Sequence, residues 1–416
     1  METFKKYLHN YGHTRVQSFD TSSIENPFNC AICIPSCGEG NNIIPLLNTL
    51  AKSAQIAKKN TIALLLINSS SKDSHFLVSN LETFKCLGAD PSKDSHFLKH
   101  SSDLSILIVN ASHPHERLLK EGVGEARKFL GDLALKLFIE NKIKSPWIRS
   151  VDADLEVPED FLFSDSELSA ESSYTYSFKH VKQQNSLVNE ATELYDFYLH
   201  DYVEGLKFAK SPYDFYALGS ILLFHLKNYV NVRGFPSRNA AEDFYFLNKL
   251  AKISRIEVLK NHRALDIKSR ISDRVPFGTG AAVGKITEMG LYHFYDLEVY
   301  KALKEQLKNI STYNETLKWE DLTGHLESFW APEKIKIERL IKNFKNPTQR
   351  LKALHDYFDA FKTLKFVHFL RDHHYPSLAV KIQEAQSFML QRKMDFSYLK
   401  DASPNPDLIA KTKSLT

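Results

Sequence analysis

The sequence predicts an α/β fold: a mostly parallel sheet flanked by helices, followed by an all-helical C-terminal extension. From Cys30 to about Ile286 short apolar runs alternate with amphipathic stretches, the pattern of βαβ units with right-handed crossovers. After about Gly290 that alternation stops, and apolar residues recur at helical spacing with Lys-rich opposite faces. Hydrophobic residues at 43%, charged residues at 25%, and only 15 Gly and 15 Pro exclude disordered, collagenous and disulfide-scaffold classes. The expected organisation is an N-terminal arm over 1–27, an α/β domain over 28–289, a helical domain over 290–400 and a tail over 401–416.

Taken in order, CAICIP reads as a strand, IIPLLNTLAKSAQIAKK as a helix, TIALLLIN as a strand and HFLVSNLETFKCL as a helix. LSILIV is the next strand, EARKFLGDLALKLFIENK a helix and WIRSVDADL a strand. A duplicated heptapeptide, SKDSHFL, occurs at Ser71 to Leu77 and again at Ser92 to Leu98. Ser or Asp ahead of an apolar run suits a helix start in both copies. In the last third, DLEVYKALKEQLKNIS, PEKIKIERLIKNF and PTQRLKALHDYFDAFKTLKFVHFL are amphipathic helices. The closing SPNPDLIAKTKSLT is polar and Pro-containing, as a frayed tail would be.

Lys+Arg 54 against Asp+Glu 50 leaves a net charge of +4 without dense basic clustering, so nucleic acid is not an expected partner. Apolar runs such as Ile62 to Ile67 fall well short of the ~20 residues that span a bilayer. The N-terminus has no apolar signal core, which makes a cytoplasmic location the expectation, with peripheral membrane contact or a homodimer open to the helical domain. Cys30 and Cys33 form a C-x-x-C, but within a strand they point to opposite faces and read as buried thiols.

Strand C-termini in an open parallel sheet face the binding crevice, so the residues just after each strand carry the chemistry. The first strand ends in Pro35-Ser36-Cys37-Gly38-Glu39-Gly40, where a helix start meets phosphate or ribose, or simply makes a turn and cap. The second ends in Asn68-Ser69-Ser70-Ser71-Lys72-Asp73, polar groups for a base or ribose, or a cap. Trp147-Ile148-Arg149-Ser150-Val151-Asp152-Ala153-Asp154 runs an apolar strand directly into two carboxylates, either hard oxygen ligands suited to Mg²⁺ or Mn²⁺ or a surface turn with a helix cap at Asp154. Glu242-Asp243 opens the helix EDFYFLNKLAK, either as dipole compensation or as a general base held on a rigid element.

Four ordered segments, PSCGEG, GVGEARKFLGDLAL, VDADLEVPEDFL and GSILLF...VRGFP...AEDFYFLNKL, together resemble the inverting family 2 glycosyltransferases with a GT-A fold, over about Cys30 to Leu250. The resemblance implies a nucleotide-sugar-binding set of Pro35, Ser36, Glu39, Asn68, Arg127, Asp152, Ala153 and Asp154, with Asp152 towards the ribose and Asp154 towards a divalent cation, Mn²⁺ or Mg²⁺. It makes Asp243 the catalytic base, with Glu242 beside it, and His262 the candidate by position for a further metal ligand, or else a solvated or hydrogen-bonded histidine. The chain carries Asn68 where Asp is usual and Gly38 where Asn is frequent. The implied partners are a UDP- or GDP-linked sugar and a hydroxyl-bearing acceptor.

Arg263, Arg270 and Arg274 form the densest basic run near the site, with forks suited to a donor pyrophosphate or an anionic acceptor. PFGTGAAVGK is Gly-rich without Walker A spacing and reads as a lid or a surface loop. The readings that stand beside metal-dependent inverting transfer are a retaining GT-A transferase, a nucleotidyltransferase and a non-catalytic sugar-nucleotide-binding or scaffold protein. CGEGNN lacks the basic residue that a nucleotidyltransferase loop carries.

Overall fold

The computed structural model describes residues 1–69, 74–112, 122–259, 261–272, 278–312, 324–344 and 346–401. Arg274, the stretch Ser70 to Asp73 and the polar tail after 401 lie outside the described residues. The chain begins with α1 (Glu2–Tyr11), α2 (Thr14–Gln17), β1 (Cys30–Ser36), α3 (Ile43–Ala57), β2 (Thr61–Asn68) and α4 (Ser74–Cys86). Next come β3 (Ser95–Lys99), β4 (Leu104–Ala111), α5 (Val123–Ile139), β5 (Trp147–Ser150), β6 (Leu155–Glu156), β7 (Ser172–Tyr176), β8 (Phe178–Val181) and α6 (Ser186–Phe208). The middle of the chain supplies β9 (Leu222–His225), α7 (Leu226–Asn231), α8 (Glu242–Leu250), β10 (Arg255–Leu259), β11 (Leu265–Lys268) and α9 (Thr279–Met289). The remainder is β12 (Leu291–Phe294), α10 (Leu297–Thr312), α11 (Gly324–Trp330), α12 (Lys334–Asn343), α13 (Pro347–Tyr357), α14 (Ala360–His373), β13 (Leu378–Lys381) and α15 (Ala385–Asp401).

Internal packing divides the chain into two units, Met1–Gln184 with Ala217–Ala281, and Asn185–Tyr216 with Ala282–Thr416. The first is mixed α/β. Its eight-stranded sheet has the order β10-β7-β9-β5-β1-β2-β4-β3. β1 pairs in parallel with both β2 and β5, β2 with β4, and β10 with β7. β3 and β9 run antiparallel to their neighbours. β1 and β4 are buried along their whole length, and β2 up to its last residue, as strands covered on both faces must be. The chain proceeds from β1 through β2 to β4 on one side, then returns to place β5 on the other side of β1. The gap between the C-terminal ends of β1 and β5 is therefore the switch point of the sheet, where ligands bind in open α/β folds.

The N-terminal residues are docked rather than loose. Tyr7 donates to Asp132 Oδ1 at 2.8 Å, the His13 backbone N–H donates to Asp132 Oδ2 at 2.7 Å, and Lys136 Nζ donates to three carbonyls from Val16 to Phe19. The second copy of the heptapeptide departs from expectation: Ser95–Lys99 is the edge strand β3, whereas Ser74–Leu77 opens α4. The pairing of Phe97 with Leu107 and of Leu98 with Ile106 on β4 overrides the local preference.

The second unit is helical, as expected of the C-terminal region, and also carries one antiparallel ribbon, β12 with β13. Residues 185–216, which sequence reading placed inside the α/β domain, belong to this unit. Val188, Ala191, Leu194 and Phe197 of α6 pack with Val283, Ile286, Phe294 and Val380. Leu206 and Phe208 join Val299, Tyr300, Leu303, Phe358 and Phe366. The stretch read as a lid or loop becomes helix α9 from Thr279 onward, because Val283 and Ile286 are fully buried on one face. Among the described residues no helix is long and apolar enough to cross a membrane.

Candidate active site

The loop after β1 is shaped by two left-handed glycines, Gly38 at φ 67° and Gly40 at φ 53°, a backbone region that side chains disfavour. Between them Glu39 is turned inward and buried. Asn80 on α4 holds the loop in place: its Oδ1 accepts from the Gly38 N–H at 2.8 Å, while its Nδ2 donates to the Asn68 carbonyl at 3.0 Å and to Ser112 Oγ at 2.9 Å. One buried amide thus ties together the ends of β1, β2 and β4. Ser36 and Ser69, at the ends of β1 and β2, are buried with hydroxyls that have no hydrogen-bond partner among the described residues. Buried polar atoms are normally paired, so these two hydroxyls have bonding capacity to offer a ligand. Pro35 is buried one residue before the end of β1, and Ala153 is buried between the two carboxylates.

β5 delivers Ser150 and then Asp152 and Asp154. Arg127, in the second turn of α5, is 3% exposed. It donates from Nε to Glu242 Oε1 at 2.8 Å, from Nη1 to Ser150 Oγ at 2.9 Å and from Nη2 to Asp152 Oδ1 at 2.5 Å. Burial opposes its charge, but Asp152 and Glu242 outweigh that and hold it protonated. The residue expected near the nucleotide is here a tie between the D-x-D strand end and the E-D helix.

β6 follows the D-x-D directly and pairs antiparallel with β11, Ile267 against Leu155. Continuing that register brings the residues after β11 alongside those before β6, which is how Arg270 reaches Asp154. The Arg270 fork grips both Glu39 oxygens at 3.1 Å and also contacts Asp154 Oδ2. This guanidinium bridges the loops after β1 and β5 across the switch point. Arg263 instead pairs with Glu159 and Asp160 on the surface. His262 stacks on Phe163 at 3.9 Å and faces Glu167 at 3.5 Å.

Among the described residues no three His, Cys, Asp or Glu side chains come together as a metal-ligand set. Asp154 is closed on Arg270 and His262 is engaged by Phe163 and Glu167, so the residues expected to hold the cation do not form a joint donor set in this arrangement.

α8 starts from a strained residue. Ala241 sits at φ 57°, left-handed without being glycine, a conformation that costs about 1 kcal/mol and concentrates at functional positions. It swings Glu242 and Asp243 into the first helical turn. Glu242 is buried on Arg127, while Asp243 keeps intermediate exposure and accepts from the Phe244 N–H at 2.7 Å. Burial, then the neighbouring Glu242, push the Asp243 carboxyl up to about 7, with Arg127 pulling the other way. A carboxylate poised near neutrality at the head of a rigid helix suits general base chemistry.

No family model and no curated protein matches this chain. Among solved structures, it is similar to residues 1–349 of TarS from S. aureus in complex with UDP-GlcNAc, at 12% identity and a TM-score of 0.37, over 82% of this chain and 89% of that one. Against a longer TarS structure the TM-score is 0.36 at 12% identity, covering 79% of this chain and 55% of that chain. A mannosyltransferase from Pyrobaculum calidifontis, PcManGT, in complex with GDP-Man and Mn²⁺, gives 12% identity and a TM-score of 0.33, over 87% and 96% of the two chains. At these values the likenesses say nothing about the chemistry of the residues above.

One participant, Asn80, and the partner of another, Arg270, escaped sequence reading. Asn80 left a trace, a lone amide amid the apolar face of HFLVSNLETFKCL, where Asn is a poor helix former unless its side chain is used. The role of Arg270 as partner of Glu39 left none, since it depends on the β6–β11 register.

Proposed function

We propose that this chain is a glycosyltransferase, moving a sugar from a UDP- or GDP-linked donor to an acceptor hydroxyl with inversion, and that Asp243 is its general base. The carrying observation is the raised Asp243 carboxyl at the head of α8, tied through Glu242 and Arg127 to Asp152 at the end of β5. In this reading Asp243 accepts the hydroxyl proton as that oxygen attacks the anomeric carbon. The new carbon–oxygen bond forms on the face opposite the departing nucleoside diphosphate. Ser36 and Ser69 offer hydroxyls to the donor, and Arg270, still partly exposed at 29%, supplies positive charge towards the leaving diphosphate. Asp154 is paired with Arg270. A role for Mn²⁺ or Mg²⁺ at Asp154 requires that pair to open.

The test is a thermal-shift screen with UDP, GDP and their sugar conjugates, with and without Mn²⁺ or Mg²⁺, followed by nucleoside-diphosphate release and the anomeric configuration of the product. A nucleotide at ~100 times its dissociation constant adds about 2.7 kcal/mol of stability. Asp243→Asn is expected to keep that shift and lose roughly 10²- to 10⁴-fold in transfer. No shift with any nucleotide under any metal condition sinks the reading, and a retained anomer removes the base role of Asp243.

A further inference from the structure

Gly219 opens the turn before β9 without a backbone reason to be glycine, since it is absent from the positive-φ residues. The reason is steric. A Cβ at this position would lie 2.3 Å from Arg127 Nη2, 2.7 Å from Cζ and 3.0 Å from Nε. The β5–β9 pairing, Ser150 against Leu222, carries the chain just before β9 past the D-x-D. The backbone of Gly219 therefore forms one wall of the guanidinium's slot, while Ser150, Asp152 and Glu242 take its hydrogen bonds.

We infer that Gly219 is a positioning residue for glycosyl transfer: its bare Cα leaves the space in which the Arg127 guanidinium joins Asp152 to Glu242 beside the base Asp243. This rests on the transfer reading above. The guanidinium cannot step aside cheaply, because it is 3% exposed and any shift breaks charge-assisted hydrogen bonds to Asp152, just after β5, and to Glu242 on α8. A methyl at Gly219 thus acts through Arg127. With the guanidinium displaced, Asp243 loses a neighbouring cation that favours its charged form, so its titration moves to higher pH. Generic damage to the fold lowers activity at every pH and leaves that titration where it was.

The experiment uses Gly219→Ala, Arg127→Ala and the double variant, with folding checked by circular dichroism. Asp243 titration is followed by carbon-13 NMR of Asp-labelled protein, assigned with Asp243→Asn. Release of UDP from UDP-GlcNAc and of GDP from GDP-mannose is measured against pH. Each single variant is expected to raise the Asp243 midpoint, to move the acidic limb of kcat/KM upward with it, and to lower turnover at pH 7 by ~10-fold or more. The double variant, in which the methyl occupies space the guanidinium has vacated, is expected to be no worse than Arg127→Ala alone. If Gly219→Ala fails to fold, the comparison of the double variant with Arg127→Ala decides: losses that multiply overturn the inference. A Gly219→Ala titration superimposing on that of wild type overturns it as well. Absence of wild-type turnover with both donors and their conjugates counts against the transfer reading instead, and the Asp243 titration then judges the Gly219 contact by itself.

Discussion

Asp243 carries a stability signature as well as a chemical one. Its carboxyl titrates near 7 in the folded chain against an ordinary value of 3.8. A carboxyl with a raised folded pKa contributes stability that is complete below about pH 3.8 and is lost as pH rises through about 7. Asp243→Asn removes the charge that must otherwise be held there, so the Tm of the variant should exceed that of wild type at pH 8 and match it near pH 4. The group keeps intermediate exposure, and water screens part of the effect. A gain of roughly 1–4 °C at pH 8 is the expected size, read by differential scanning calorimetry across pH. A variant no more stable at pH 8 than at pH 4, relative to wild type, removes the raised pKa from the account.

At the scale of elements, the site depends on how closely α5 approaches the loop that leads into α8. Gly124 makes this approach possible. A Cβ there would meet the carbonyl oxygens of Arg238 at 2.5 Å and Pro236 at 2.6 Å, and its N–H donates to the Arg238 carbonyl at 3.1 Å. Backbone atoms cannot rotate out of the way as a side-chain end can. Gly124→Ala is therefore expected to push α5 and the 236–238 loop apart at a cost of about 1–3 kcal/mol. Because Glu242 and Asp243 follow that loop, turnover should fall more than stability suggests. Chemical denaturation alongside nucleoside-diphosphate release checks this, and an unchanged denaturation midpoint refutes it. The resemblance segment GVGEAR is thus legible as a motif, but its work is mechanical: Gly124, together with Gly122, whose Cβ would meet Asn239 Cα at 2.9 Å, allows the approach and Arg127 ties it.

Across the whole molecule, the second unit closes on a buried ion pair. Arg392 on α15 donates from Nε to Asp201 Oδ1 at 2.7 Å and also reaches the Tyr295 carbonyl, with both charged residues under 5% exposed. Arg392→Ala leaves the Asp201 carboxyl buried without its cation, and a loss of about 3–5 kcal/mol is expected. Calorimetry resolves this, and a loss within 1 kcal/mol means the pair is not the fastening the contacts describe. Neither residue could be singled out from sequence, because Asp201 and Arg392 sit in amphipathic stretches far apart in the chain and meet only when α6 packs on α15.

What the sequence determined by itself is the local and near-local part. The continuous apolar runs of β1, β2 and β4 demanded burial on both faces, hence a parallel sheet with helices over it. The D-x-D and E-D carboxylates stood out because charged residues directly after apolar strands, or opening amphipathic helices, are visible as pattern. Tertiary structure decided what depends on partners distant along the chain. SHFL is helical at Ser74–Leu77 and extended at Ser95–Leu98, since the second copy lies beside β4 and the first does not. Residues 185–216 went to the helical unit because their apolar faces match Phe294, Val380 and Tyr300 rather than the sheet. Arg270 came to Glu39 and Asp154 through the register of two short strands. A side chain's type and spacing are written locally, but its partner is chosen by pairing and packing, which no single stretch of sequence contains.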